Sequence, residues 1–275
     1  HEYIAWLQQQ DGAKSESFWK GYLSGFDAPL ELPIRRRSSG EAQYAQLEQR
    51  LPARESAALE ERCRRLRITS NTLVLGAWAL TLARYTQRQD VLFGMTVSGR
   101  PPSLPGVETM IGNFINSVPL RTKVDENTSL EKWLAKLQET QGQLREHEHA
   151  SLAKVQGLSN IPPGDALFET LFVYENYPAD AEALSAPGLT VSKFDYREQS
   201  NYPLAALAVP GQRLRLLFIY DTTQFDAVDA EALLGHWKQV VAQLCALPID
   251  STLSAINVHT KEEEDLLRVD WNATK

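Results

Sequence analysis

Five histidines are the first place to look for acid–base or metal chemistry in this chain: His1, His147, His149, His236 and His259. No two are adjacent, and His147 and His149 stand two apart, so on a helix they point to different sides and do not share a metal ion. Both read as surface or helix-end residues, while His236, beside Trp237, reads as the flank of a core-facing helix. The sequence holds no Gly-rich phosphate loop, no GxSxG elbow and no HExxH motif, and the mere presence of Ser, His and Asp defines no triad. Cys63 and Cys245 each lie in a helix-like apolar pattern and read as small core residues, with neither a disulfide framework nor a thiolate metal site implied. The residue types alone therefore yield no catalytic set and no metal ligands.

Two other stretches put polar groups where binding chemistry is commonly placed. Val91 to Val97 is a near-continuous apolar run, the pattern of a strand buried on both faces, and it ends in Ser98, Gly99, Arg100, Pro101 and Pro102. Strand ends that run into Gly and Pro are where α/β proteins position ligands. Further on, Met110-Ile-Gly112-Asn-Phe-Ile-Asn116-Ser117 leads into Val118-Pro-Leu-Arg121. A glycine before a strand lets backbones approach closely, and the amides beside it can bond extended substrate or neighbouring main chain. A turn feeding a strand is the simpler account of the same residues.

Helices and strands alternate around these stretches. Amphipathic helices are expected near His1–Gln10 and around Phe18, Trp19 and Tyr22. Arg35, Arg36 and Arg37 read as part of a solvated loop. Gln43–Leu51 suits a strand, and Pro52 can begin a helix carrying Leu59, Cys63 and Leu66. Ser70 or Asn71 can cap the next helix, with Leu73, Trp78, Leu82 and Tyr85 inward. Ser117–Val124 reads as a strand, and Thr128 with Glu131 as the capping box of a helix running to Glu148. Strands are expected at Leu167–Tyr174 and Leu189–Phe194. Leu204–Val209 and Leu214–Tyr220 should form a hairpin across Pro210 and Gly211. Asp229 can cap a last large helix. The expected architecture is α/β, a mixed β-sheet covered by helices.

Bulk properties narrow the function classes. With 43% hydrophobic residues over 275 positions, the chain can bury a sizeable core. Its 35 acidic and 28 basic residues leave a net charge of -7 with no basic stripe, which argues against a nucleic acid partner. No apolar run approaches the roughly 18 residues of a membrane span, so a cytoplasmic location without membrane association is the expectation. The chain opens on His1 and enters an amphipathic stretch at once, as a segment of something longer would. After Pro248 the apolar content thins, and a second capping box, Thr260 with Glu263, precedes an acidic run, as in a tether leading out of a domain.

Six segments, in order, resemble the condensation domains of modular nonribosomal peptide synthetases. Ile111–Arg121, IGNFINSVPLR, is similar to the family's Gly-x-Phe-Val-Asn-Thr motif and its closing Arg. Glu2–Leu7 and Phe18–Gly25 resemble the segment that follows the family's active-site histidines. Phe93–Pro101 resembles the strand before the Gly-Asn motif. His147–Gln156 resembles the His-Gln-Asp-Tyr-Pro-Phe-Glu element, with departures at His149, Ala150 and Ala153. Leu167–Pro178 and Tyr196–Leu204 resemble the last two segments, the second with Tyr202 where an Arg-Asn order is usual. The ending Trp271–Thr274 is similar to the lead-in of an adenylation domain.

The resemblance implies a chloramphenicol-acetyltransferase-like lobe, with residues 1–248 the C-terminal part of a condensation domain and 249–275 a linker toward an adenylation domain. It implies amide formation between aminoacyl or peptidyl thioesters carried on phosphopantetheine by donor and acceptor carrier proteins, with no cofactor bound by this chain. The family's His-His-x-x-x-Asp-Gly motif, whose second His positions or deprotonates the acceptor amine, is absent here. That places it in a missing N-terminal lobe and predicts that this chain alone is inactive. Thr96, Ser98, Gly112, Asn116 and Ser117 would approach the substrate tunnel. Arg197, Ser200, Asn201, Tyr202 and Pro203 would lie near a crossover that latches one lobe to the other. An epimerisation domain of the same fold, and a non-catalytic carrier-binding module, are the competing readings.

Overall fold

The computed structural model describes residues 1–36, 40–162, 164–175, 200–260 and 263. Two helices open the chain, α1 (Glu2–Gln8) and α2 (Gly12–Leu23). The Asp11 carboxylate caps α2 by accepting from the Ala13 and Lys14 amides. There follow β1 (Tyr44–Arg50), α3 (Ala53–Leu66), α4 (Ser70–Thr86), β2 (Asp90–Val97) and β3 (Asn116–Lys123). Then come α5 (Leu130–Arg145), α6 (Leu152–Gly157), β4 (Thr170–Tyr174), β5 (Leu204–Val209), β6 (Arg215–Asp221) and α7 (Ala227–Ala246). The strands form one mixed sheet in the order β1-β6-β5-β4-β2-β3, parallel at β2–β4 and β4–β5 and antiparallel elsewhere. The expected α/β architecture and the β5–β6 hairpin are both present.

Alternation along the strands decides which face meets the helices. Leu204, Ala206 and Ala208 of β5 and Leu216, Phe218 and Tyr220 of β6 join the main core under α3, α4, α5 and α7. Ala205, Leu207, Leu217 and Ile219 form a smaller buried cluster on the opposite face. In the register Ala206 lies between Phe172 and Phe218. A methyl group between two rings leaves room for Trp237 of α7, which stacks on Phe218 at 5.8 Å and meets Trp78 of α4 at 5.4 Å. The Trp237 indole donates to the Val74 carbonyl at 3.3 Å, so the polar end of this buried ring is satisfied.

Several sequence expectations shift by a few residues. The cap of α4 is Thr69, whose hydroxyl accepts from the Thr72 amide, rather than Ser70 or Asn71. Ser129, not Thr128, caps α5; the Thr128 hydroxyl turns back to Asp125. That helix stops at Arg145 rather than Glu148, and α7 starts after Asp226, leaving Asp229 inside its first turn. Arg35 is not in a solvated loop: it pairs with Glu169 and donates to Gln224 at 2.7 Å, while Arg36 pairs with Asp226. Cys63 is buried and Cys245 half-buried, and burial pushes both thiols up to about 12. The strand expected at Leu189–Phe194 and the residue Arg37 lie outside the described residues.

Residues 249–260, the described part of the stretch after Pro248 apart from Glu263, pack onto the fold. Leu253, Ile256 and Val258 are buried. The Leu130 and Glu131 amides, at the start of α5 where no intrahelical acceptor exists, donate to the carbonyls of Ser251 and Ile249. The Thr260–Glu263 capping box forms in both directions, amide to carboxylate at 2.7 Å and amide to hydroxyl at 3.3 Å.

Candidate functional site

The ends of β2 and β3 sit side by side, with Thr96 opposite Ser117 and Val97 opposite Asn116. From there the chain leaves the sheet through a loop that closes on itself. Gly99 has φ +62°, and a Cβ built there would lie 1.7 Å from the Phe114 carbonyl oxygen, so only glycine fits. Arg100 spreads its guanidinium over the Phe114 ring at 4.3 Å and donates to the Met110 carbonyl at 3.0 Å and to Val107. Tyr3 of α1 meets the same ring edge-on, 4.8 Å away. Trp6 ties α1 to the loop through Ser103 at 3.2 Å.

Asn116 performs a related task. Its side-chain NH2 donates to the carbonyls of Glu148 and Ala150 at 2.7 and 2.8 Å, and its oxygen accepts from the Ser117 amide at 2.9 Å. Both ends of the amide are engaged by the protein's own backbone, so Asn116 fixes the turn after α5 against the end of β3. Gly112 is exposed, and neither it nor Asn116 lines the cleft beside β2.

That cleft, about 660 Å³, opens at the end of the strand, and Thr96, Ser98, Arg100, Gln141, Glu148 and His149 are among its walls. The Thr96 hydroxyl makes no hydrogen bond among the described residues, and Ser98 accepts only a long 3.4 Å contact from the Arg100 amide. Burial raises the Glu148 carboxyl above its ordinary range, with Arg145 pulling it back. Burial, then Lys154, lowers His149. The walls combine hydroxyls and side-chain amides with charged groups, Arg100, Arg145 and Glu146 among them. The Thr96 and Ser98 hydroxyls can donate hydrogen bonds to a carbonyl of an acyl compound.

Of the residues expected at a lobe crossover, Ser200–Pro203 lead into the start of β5, which the parallel register sets level with the start of β4, away from the cleft end of β2. Tyr202 stacks on Phe168 at 5.2 Å, and burial raises its phenol while the Ser117 hydroxyl, by hydrogen bonding, lowers it. Ser200 accepts from the Tyr202 amide at 3.1 Å, the Pro203 carbonyl accepts from Asp221, and Asn201 is exposed. Arg197 lies outside the described residues. Gly94 makes room for this arrangement: a Cβ there would come within 2.2 Å of the Phe168 ring. No local sequence signal marks Gly94 or Glu148, because the groups that give them meaning come from distant segments.

The Arg that closes the Gly-Asn motif is structural. Arg121 grips Asp90 with both arms of its fork at 2.7 to 3.2 Å and donates to the carbonyls of Tyr22 and Ser24, clamping α2 to the β2–β3 hairpin. His147 follows the end of α5 as expected, yet it is buried rather than on the surface, stacked on Phe18 at 4.1 Å.

Fold and cleft together define an α/β lobe that presents a hydrogen-bonding recess at the end of its central hairpin. The chain belongs to the condensation domain family, whose model matches residues 1–267. It is 39% identical over 272 residues to chondramide synthase cmdD of Chondromyces crocatus, covering 98% of this chain and 7% of that protein. It is 33% identical over 281 residues to bacitracin synthase 3 of Bacillus licheniformis, covering 100% of this chain and 4% of that one. The chain thus spans a small fraction of the curated relatives it matches. Among solved structures, the X-domain from teicoplanin biosynthesis superposes with a TM-score of 0.78 at 22% identity, over 93% of this chain and 61% of that one. The first condensation domain of the calcium-dependent antibiotic synthetase gives 0.74 at 18% identity, over 93% and 57%. The family match extends past Pro248, in keeping with the packing of residues 249–260.

Proposed function

We propose that this chain supplies one wall of the substrate tunnel of a peptide-bond-forming condensation domain in a nonribosomal peptide synthetase. The observation that supports this most directly is the cleft at the end of β2, where Thr96 and Ser98 present hydroxyls that the fold itself leaves largely unused. In this reading the donor thioester carbonyl lies against those hydroxyls. Carrier proteins bring both substrates on phosphopantetheine arms, an amine attacks the thioester, and a thiol leaves. The residue that positions or deprotonates the amine belongs to an N-terminal lobe carrying the His-His-x-x-x-Asp-Gly motif. Ser200–Pro203, with Arg197, form this chain's side of the junction to that lobe. By the resemblance of Trp271–Thr274 to an adenylation lead-in, residues 249–275 would be the linker toward such a domain, and the whole works in the cytoplasm. No helix among the described residues is long and apolar enough to cross a membrane.

The test uses the chain joined to its upstream lobe, supplied with loaded donor and acceptor carriers, with the amide product followed by mass spectrometry. Product from the joined protein, none from the 275 residues alone, and a tenfold or greater drop with Thr96→Val plus Ser98→Ala support the proposal. Exchange of the substrate α-proton without coupling would identify an epimerisation domain. Carrier binding with no turnover in the joined protein would identify a non-catalytic docking module.

A further inference from the structure

Away from the cleft, the fold brings His236 to two side chains that lie near each other but well after it in the sequence, His259 and Glu263. His236 projects from α7, His259 from the segment that follows Val258, and Glu263 from the capping box; one ligand atom from each lies within 4.8 Å of the others. We infer that His236, His259 and Glu263 form a binding site for a single divalent transition-metal cation, of which Zn²⁺ is the best match, pinning the C-terminal segment to α7.

The donor chemistry fits. Two imidazoles and one carboxylate are a common zinc set that leaves a fourth position for water. Around a tetrahedral zinc, neighbouring ligand atoms sit about 3.3 Å apart, given bonds of about 2.0–2.1 Å. His236 Nε2 is already 2.8 and 2.9 Å from the two Glu263 oxygens. An imidazole nitrogen and carboxylate oxygens at that distance need to part only slightly to take a cation between them. His259 is exposed and its ring lies 5.7 Å from that of His236, so a side-chain rotation closes the remaining gap without moving the backbone.

The surroundings orient the two fixed ligands. Tyr85 Oη is 2.7 Å from His236 Nδ1, which lets that nitrogen donate to the phenol oxygen and leaves Nε2 free for the metal. Glu263 is held by the Thr260 amide at 2.7 Å. His236 itself is buried. A buried imidazole oriented through its second nitrogen, facing a carboxylate fixed by a capping box, distinguishes this group from acidic clusters on the surface.

The experiment is a Zn²⁺ titration of the full 275-residue chain, stripped of metal beforehand, in competition with a chromogenic chelator. Binding of one zinc per chain is expected, with a rise in Tm. His259→Ala and Glu263→Gln should each weaken binding tenfold or more, within the range seen when a zinc site loses part of its support. His259 is exposed, so its removal does not threaten folding, and Gln at 263 keeps the capping box. His1→Ala should leave the affinity unchanged, which separates this site from a chelating N-terminus. Absence of binding at micromolar zinc, or binding that persists at full affinity in both His259→Ala and Glu263→Gln, would overturn the inference.

Discussion

The ends of β2 and β3 are neighbours in one hairpin, yet their polar side chains do opposite things. On β3, Asn116 gives its side-chain NH2 to the carbonyls of Glu148 and Ala150 and its oxygen to the Ser117 amide. In the loop between the strands, Arg100 turns Nη1 to the carbonyls of Val107 and Met110. On β2, Thr96 and Ser98 face the cleft with little or no internal partner. The residues that make the motif recognisable are therefore framework, and the plainer hydroxyls beside them are the ones left available to a ligand. A conspicuous sequence pattern and a contact surface need not be the same residues even when they lie a few ångströms apart.

Four measurements would break or sharpen that contrast. The largest effect is expected at Gly99. Alanine there must adopt a positive φ and displace the Phe114 carbonyl, which should destabilise the chain by about 3 kcal/mol or more in urea unfolding. A loss under about 1 kcal/mol would mean the loop does not hold this shape. Asn116→Ala leaves two carbonyls without their donor and should cost about 2 kcal/mol, read the same way.

The third concerns Glu148, whose carboxyl is raised from its ordinary value of about 4.5, first by burial. A raised carboxyl binds its proton more tightly when folded. Its contribution is fully present below the unfolded value and is lost as pH rises through the folded one. Unfolding midpoints of the native chain should therefore fall relative to Glu148→Gln as pH rises above about 4.5, and the two should converge at lower pH. A flat difference across that range would contradict the burial. The smallest effect is expected on the β2 side, where Thr96→Val and Ser98→Ala should each change stability by no more than about 0.5 kcal/mol. A larger loss would place those hydroxyls in the framework too.

The fold class, most strands and the inward faces of the long helices are legible because period and burial agree along each segment, as in Val91–Val97 and in Leu233 to Leu244. The helix starts are not, because Thr69-Ser70-Asn71 and Thr128-Ser129 each offer more than one good cap, and the choice depends on what the helix packs against. The packing of residues 249–260 is hidden for a similar reason: three apolar residues, Leu253, Ile256 and Val258, look sparse in a sequence but are buried. At the site, Thr96 and Ser98 can be found from the strand end. The engagement of Asn116 cannot, since its acceptors lie 32 and 34 residues away. Nor can the meeting of His236 with Glu263, 27 residues apart.

The two halves of the sheet are joined unevenly. β2 and β3 run together for eight register pairs, whereas β2 meets β4 through only two, Gly94 with Leu171 and Met95 with Phe172. The hairpin that frames the cleft is thus stitched to the rest of the sheet by a short seam, beside a glycine whose bare backbone admits Phe168. Mechanically, a shear applied between the two halves would load those two rungs first, while the eight pairs within the hairpin would resist it together.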